Sequence, residues 1–246
     1  MLLLLLAPTA SAATVPEQVE AVARWRADRF AQDAPAIDPS VYARVATGQI
    51  VTGIERVPGV AAAKGWVVGI LDQGVERVWM ALNSEDHAAG RYGLSISTVL
   101  QGDARRSGRL VFQLMPLPIV TDRWWMVREQ MNGRLYTESG GRLWELASTD
   151  ATDPEHLRGT SWASVAADAQ PVAWTRSAWL LLPLQDGRTL GEFYSWTDPG
   201  GALPAGLASR FAAGTLKGTI LDTQAFAASL AHTSTRGFVR PDGAPL

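Results

Sequence analysis

Leu180-Leu181-Leu182-Pro183-Leu184-Gln185-Asp186-Gly187-Arg188-Thr189-Leu190-Gly191-Glu192-Phe193-Tyr194-Ser195-Trp196-Thr197-Asp198-Pro199-Gly200-Gly201-Ala202-Leu203-Pro204 is the stretch that decides how this chain folds. Asp186-Gly187 lies between two apolar runs and supplies the residues a tight hairpin turn needs. In the second run Leu190, Glu192, Tyr194 and Trp196 alternate with Gly191, Phe193, Ser195 and Thr197, which predicts a strand with two different faces. Asp198-Pro199-Gly200-Gly201 stops that strand. Pro204 suits the first turn of a helix. Beyond it Leu207, Phe211, Gly214 and Gly218 share a stripe at helical spacing, continued by Leu221 and Ala225. The chain is therefore predicted to close as hairpin, sharp turn and long helix.

Working back from there, strands are predicted at 49–54, 66–71, 94–100, 110–115, 123–131, 142–146 and 172–182, with turns at Pro58-Gly59, Gly102-Asp103 and Asn132-Gly133. Val75, Val78, Trp79 and Leu82 recur at helical spacing after Asp72 and predict a short amphipathic helix. Pro16 to Gln32 reads as one helix, and residues 33–39 as a loop. Thr149 to Gly159 is rich in Asp, Thr, Pro and Gly and reads as a loop. The polar tail from Thr233 is expected to fray. Consecutive strands joined by short turns and flanked by helices predict an α+β chain built on an antiparallel sheet. Four segments follow: 1–12, 13–44 (helix and linker), 45–232 (the main domain) and 233–246 (a flexible tail).

The 246 residues are 47% hydrophobic and 19% charged, with a net charge of -2. That composition suits one domain with a sizeable core. It lacks the basic surface that nucleic-acid binding requires, so no nucleic-acid partner is expected. Ten tryptophans supply large apolar surfaces for a core or a ligand pocket. Met1 to Ala12 is a short apolar run ending in Ala10-Ser11-Ala12, the small-x-small pattern of a signal-peptidase site, which predicts a periplasmic or secreted protein. The absence of cysteine excludes disulfides and thiolate metal sites.

Three segments resemble the START lipid-transfer domain, within the helix-grip superfamily that also includes polyketide cyclases and Bet v 1-like proteins. They are Gly53-Ile54-Glu55-Arg56-Val57-Pro58-Gly59 leading to the helix with Val78-Trp79-Met80-Ala81-Leu82; Pro116-Leu117-Pro118-Ile119-Val120-Thr121-Asp122-Arg123; and the Asp186-Gly187 hairpin with its Asp198 to Pro204 turn. Together they cover about residues 45 to 230. Where the family has Asp after the arginine, this chain has Trp124. The resemblance implies a curved antiparallel sheet wrapped around the C-terminal helix, with an apolar cavity between them for one lipid-like molecule. The implied function is binding and transport of a sterol, fatty acid, phospholipid or similar molecule, with transient membrane contact and no cofactor. A cyclase or aromatase of the same superfamily, or a groove that takes another protein, are the alternatives.

No catalytic motif accompanies this pattern. A Gly-x-Ser-x-Gly elbow, a His-Glu-x-x-His pair, a Walker loop and a dinucleotide turn are all missing. His87, His156 and His232 fall in or near predicted loops, and no metal site is expected from them. A charge inside an apolar cavity needs a partner, so Glu129 or Arg128, on opposite faces of one strand, is a candidate anchor for a ligand hydroxyl or headgroup. Trp125, Trp144, Trp179, Phe193 and Phe211 are the candidate wall, chosen on size and apolarity. An enzyme would need an inward acid–base pair such as Glu192 with Tyr194. The Thr149 to Gly159 loop and the turn at Pro199 are the candidate gates.

Overall fold

The computed structural model describes residues 12–84, 88–201 and 216–246. Its elements run α1 (Val15–Glu20), a 3-10 helix (Ala23–Asp28), α2 (Pro39–Ala46), β1 (Val51–Glu55), β2 (Lys64–Leu71), α3 (Val75–Leu82), β3 (Ile96–Gln101), β4 (Arg109–Met115), β5 (Arg123–Met131), α4 (Gly133–Glu138), β6 (Trp144–Asp150), a 3-10 turn (Pro154–Leu157), α5 (Trp162–Ala167), β7 (Gln170–Pro171), β8 (Trp174–Pro183), β9 (Thr189–Asp198) and α6 (Leu216–Ser229). The strands form one curved sheet in the order β1-β2-β9-β8-β6-β5-β4-β3, with antiparallel neighbours throughout; the short β7 adds to β5 in parallel. The fold is α+β.

The β8–β9 hairpin is the longest pairing, running from Trp174↔Asp198 to Pro183↔Thr189. Its turn works as the dipeptide suggests. Gly187 takes φ 85°, and the Asp186 carboxylate accepts from the Arg188 amide at 3.1 Å. The turn at Pro199 is held by Arg123, whose guanidinium donates to the Pro199 carbonyl at 2.8 Å and also to the carbonyl of Thr121. Among the described residues Arg123 pairs with backbone carbonyls instead of an acid. Burial holds its pKa below the usual arginine value.

α6 lies against the sheet at a pair of glycines. Gly69 of β2 and Gly191 of β9 are register partners. A Cβ on Gly69 would meet Ile220 of α6 at 3.0 Å, and one on Gly191 would meet Leu71 at 2.8 Å. The missing side chains therefore let the helix approach. The buried stripe of α6 is Leu216, Thr219, Ile220, Thr223 and Ala227. This corrects the expected face: Leu221 and Ala225 point to solvent, and Gly218 meets open space. Ile220 sits over the glycine pair, so the shape of the sheet beneath, and not residue size on the helix alone, sets its rotation.

Three further expectations are corrected. The stretch read as one helix from Pro16 to Gln32 is instead α1 followed by the 3-10 helix, and at Arg29 the chain turns extended, so that Phe30 and Ala31 donate their N–H groups to the Glu145 carboxylate at 2.7 and 3.3 Å. A continuing helix would spend those donors on carbonyls four residues back. Residues 39–46, most of them in the expected linker, form α2, with Asp38 accepting from the Ser40 amide at 2.8 Å and Pro39 in the first turn. Asn132-Gly133 is no hairpin turn: Asn132 caps α4 by accepting from the Leu135 amide at 3.0 Å.

The expected flexible tail, 233–246, is packed. Phe238 and Val239 are buried in the main core, and the Trp79 indole donates to the Val239 carbonyl at 2.8 Å. Arg105 stacks over the Phe238 ring, with its guanidinium carbon 4.2 Å from the centroid. Two apolar residues in a polar stretch suffice to anchor it.

The two faces of the sheet are covered differently. α1 and α2 lie on the convex face against Val68, Leu180, Leu182 and Leu190. Two buried carboxylates tie this segment down. Glu192 accepts from Arg26 at 2.5 and 2.9 Å and from the Tyr42 hydroxyl at 2.9 Å. Glu145 accepts from Arg29 at 3.0 Å and from the Asn132 amide at 2.8 Å, besides the two backbone donors. Burial pushes the Glu192 pKa up, but the Arg26 guanidinium and the Tyr42 hydroxyl outweigh it and leave the group below the usual carboxylate range. Burial, with the Glu192 charge, raises the Tyr42 hydroxyl above its ordinary value.

Candidate functional site

Between the concave face of the sheet, the end of α3 and the start of the described part of α6 lies a cavity of about 160 Å³. Strand parity decides which side chains it sees. In β5 these are Trp125, Val127 and Glu129; in β6, Leu146 and Ser148; in β8, Thr175, Ser177 and Trp179; in β9, Phe193, Ser195 and Thr197. Their chain neighbours point to the convex side. α3 contributes Ala81 and Leu82, and the 88–94 segment closes over the space with Arg91 and Tyr92. That segment is tied to α6: the Arg91 guanidinium lies 3.7 Å over the Phe226 ring, and the Tyr92 and Thr223 hydroxyls are 3.0 Å apart. Tyr92 has φ 56°, a left-handed conformation a tyrosine seldom takes, so tertiary contacts hold it there.

One wall carries a buried ion pair. Arg109 of β4 and Glu129 of β5 are register partners, and the guanidinium meets the carboxylate directly. Arg109 is 0% exposed and Glu129 is 6% exposed. Asn83, at the end of α3, accepts from Arg109 at 2.8 Å, and its own amide donates to the Trp79 carbonyl at 2.8 Å. The Ser148 hydroxyl stands 3.5 Å from the Glu129 carboxylate. Taking both charges out of water is costly, and the pair persists because each satisfies the other. Farther along, the Trp125 indole donates to the Gln113 side chain at 2.7 Å, and the Thr175 and Thr197 hydroxyls are 2.7 Å apart.

Of the candidate residues, Trp125, Glu129, Trp179 and Phe193 line the cavity; Trp179 and Phe193 are in contact, with ring centroids 5.1 Å apart. Trp144 does not line it. It shares the concave parity of Leu146 and Ser148 but lies past the end of the cavity, packed edge-on against Trp79 and Tyr136 at 5.4 and 5.1 Å. Phe211 and His87 lie outside the described residues. Arg128 is on the convex parity and donates to the Gly108 carbonyl at 2.9 Å. Glu192 and Tyr194 also face the convex side. Tyr194 donates to Asp33 at 2.7 Å, and burial, then that carboxylate, raises its pKa. Both are enclosed by the N-terminal segment and cannot meet a molecule in the cavity.

The 149–159 segment does not gate the cavity. Leu157 packs with Phe112, Trp124 and Met126, all of convex parity, and α5 covers the same cluster through Trp162. Among the described residues, no three metal-ligating side chains converge, and no helix is long and apolar enough to cross a membrane.

Neither a family model nor a curated protein matches this sequence. Solved structures do. A STAR-related lipid transfer protein fragment from Xanthomonas axonopodis aligns over 73% of this chain and 93% of its own, at 15% identity and a TM-score of 0.59. Human STARD10 aligns over 90% of this chain and 83% of its own, at 10% identity and 0.57. Human StAR-related lipid transfer protein 5 aligns over 87% and 99%, at 13% and 0.57. The chain has a START-like helix-grip fold. At these identities the likeness concerns architecture, and the chemistry must be argued from this chain's own cavity.

Residues that sequence reasoning passed over are Arg109, Asn83, Ser148, Ser177 and Ser195. Arg109 directly follows the Gly102 to Gly108 turn region and looks like an exposed strand start; only its pairing with Glu129 marks it. The available signal was strand parity: Ser148, Ser177 and Ser195 each stand two residues from a large apolar residue of the same face, Leu146, Trp179 and Phe193.

Proposed function

We propose that this protein binds one hydrophobic, lipid-like molecule on the concave face of its sheet and carries it through water. The observation that supports this is the cavity itself, on the concave face of the sheet and walled by Trp125, Trp179, Phe193 and Leu146. Burial of apolar ligand surface supplies the driving force. At about 25 cal/mol per Å², a few hundred Å² contributes on the order of 8 kcal/mol before ordering costs, enough for micromolar carriage. The START-like architecture of the lipid transfer proteins aligned above supports the same reading. A periplasmic or secreted setting rests on the Ala10-Ser11-Ala12 pattern, and amino-terminal sequencing of protein from the native host would test it.

The deciding experiment is native mass spectrometry of the purified protein with organic extraction and identification of what it carries. A stoichiometric lipid supports the reading and names the ligand class. An empty protein that also takes up no sterol, fatty acid or phospholipid overturns it.

A further inference from the structure

The cavity floor is divided into two register rows. One is apolar: Met131, Leu146, Trp179, Phe193 and Val67 are successive cross-strand partners over β5, β6, β8, β9 and β2. The next row toward the other end of the strands is polar: Arg109, Glu129, Ser148, Ser177 and Ser195 are successive partners over β4, β5, β6, β8 and β9. Cross-strand partners share a face, so three serine hydroxyls stand side by side on the concave surface, at intervals of about 5 Å set by the strand spacing.

The charged end of this row is closed. Arg109 and Glu129 pair with each other, and Asn83 takes a further guanidinium N–H. The serine end is open. Among the described residues Ser148 has only its 3.5 Å approach to Glu129, and Ser195 only a 3.4 Å approach to Thr197. Among the described residues the Ser177 hydroxyl has no protein partner. Each serine can both donate and accept, so the row discriminates by the number and spacing of a ligand's polar groups and not by charge. A ligand hydroxyl left unpaired against the apolar row would lose its bonds to water, whereas one on the serine row would regain them.

From this arrangement we infer that the preferred ligand is a neutral, facially amphipathic molecule, bearing two or more hydroxyl or keto oxygens along one edge and an apolar body on the other. The oxygenated edge lies on Ser148, Ser177 and Ser195, and the apolar body lies on Leu146, Trp179 and Phe193. This rests on the lipid-binding reading above and narrows its ligand class. A fatty acid, with one anionic group at its end, and a sterol with a single hydroxyl would each leave most of the row unmet.

Quenching of tryptophan fluorescence provides the test, since Trp125 and Trp179 line the cavity. Cholestanol, a cholestane triol with its hydroxyls on one face, and stearic acid would be titrated into the full chain. The triol is expected to bind about tenfold more tightly than cholestanol, the scale of one or two added hydrogen bonds. Ser177→Ala combined with Ser195→Ala should bring the two steroids to within about twofold by weakening the triol alone, and Ser177→Thr, which keeps a hydroxyl, should restore the preference. Equal binding of both steroids by the native protein, or equal weakening of both by the double variant, overturns the inference while leaving lipid binding standing. Failure of all three probes to bind overturns this inference, and the lipid-binding reading falls with it only if the protein also takes up no phospholipid.

Discussion

The convex and concave faces of this sheet are built from the same strands, yet they handle polar groups in opposite ways. On the convex face, Glu145 and Glu192 are saturated: arginines, a tyrosine, an asparagine and two backbone amides from the N-terminal segment and α4's cap use up their lone pairs. On the concave face, Glu129 is matched by Arg109, but the serines beside it are left open next to a cavity. Saturated carboxylates form a seam that holds elements together. Open hydroxyls beside a void form a surface that something else can complete. The difference explains how a chain can carry several buried charges and still present a binding face.

The largest test of that contrast is Glu192→Ala. It leaves the partly buried Arg26 guanidinium and the Tyr42 hydroxyl without their partner, and loss of one member of a buried pair costs about 3–5 kcal/mol, so a loss toward the lower end, about 3 kcal/mol, is expected. Urea denaturation should show it as a lower midpoint, and a change under about 1 kcal/mol would mean that the seam contributes little. Gly191→Ala comes next. Its Cβ would stand 2.8 Å from Leu71 and 3.3 Å from Trp179, and overpacking of this kind costs about 1–3 kcal/mol. Unchanged thermal stability would show that α6 is not seated by the glycine pair.

The pH dependence is expected to be gentler, because protonation removes the charge but keeps the carboxyl group. Glu192 has a lowered folded pKa, so its contribution is full above the unfolded value of about 4.3 and is lost as pH falls through the lower folded value. Tyr42 and Tyr194 are raised, so their contribution is full below about 10 and falls as pH rises above it. Stability measured across this range should be flat in between and decline at both ends; Glu192→Gln should remove part of the acid limb. The smallest effect is on the other face. Ser177→Ala should change stability by no more than about 0.5 kcal/mol, since its hydroxyl has no protein partner among the described residues. A larger loss would place the serine row with the seam and not with the cavity.

Much of this molecule was legible in its residues. β5 runs from Arg123 to Met131 as its pattern predicts, the Asp186-Gly187 hairpin is formed, and α3 follows the spacing of Val75, Val78, Trp79 and Leu82. The order of these elements, with three motif-bearing segments, was enough to point to a START-like helix-grip fold. These features are local: a turn dipeptide, a two-residue alternation and a helical stripe each act within a few neighbours.

What only the tertiary structure decided is which face of each strand meets the cavity, and which segments fold back onto it. β8 shows why. Leu180 and Leu182 are buried on one side under α1 and α2, and Trp179 and Leu181 are buried on the other. A strand covered on both faces is apolar on both, so alternation alone cannot say which side holds the void. The same reason hid the helix break before Phe30 and the packing of Phe238 and Val239. In each case a distant partner, Glu145 in one and Trp79 in the other, redirected a segment whose local pattern pointed elsewhere.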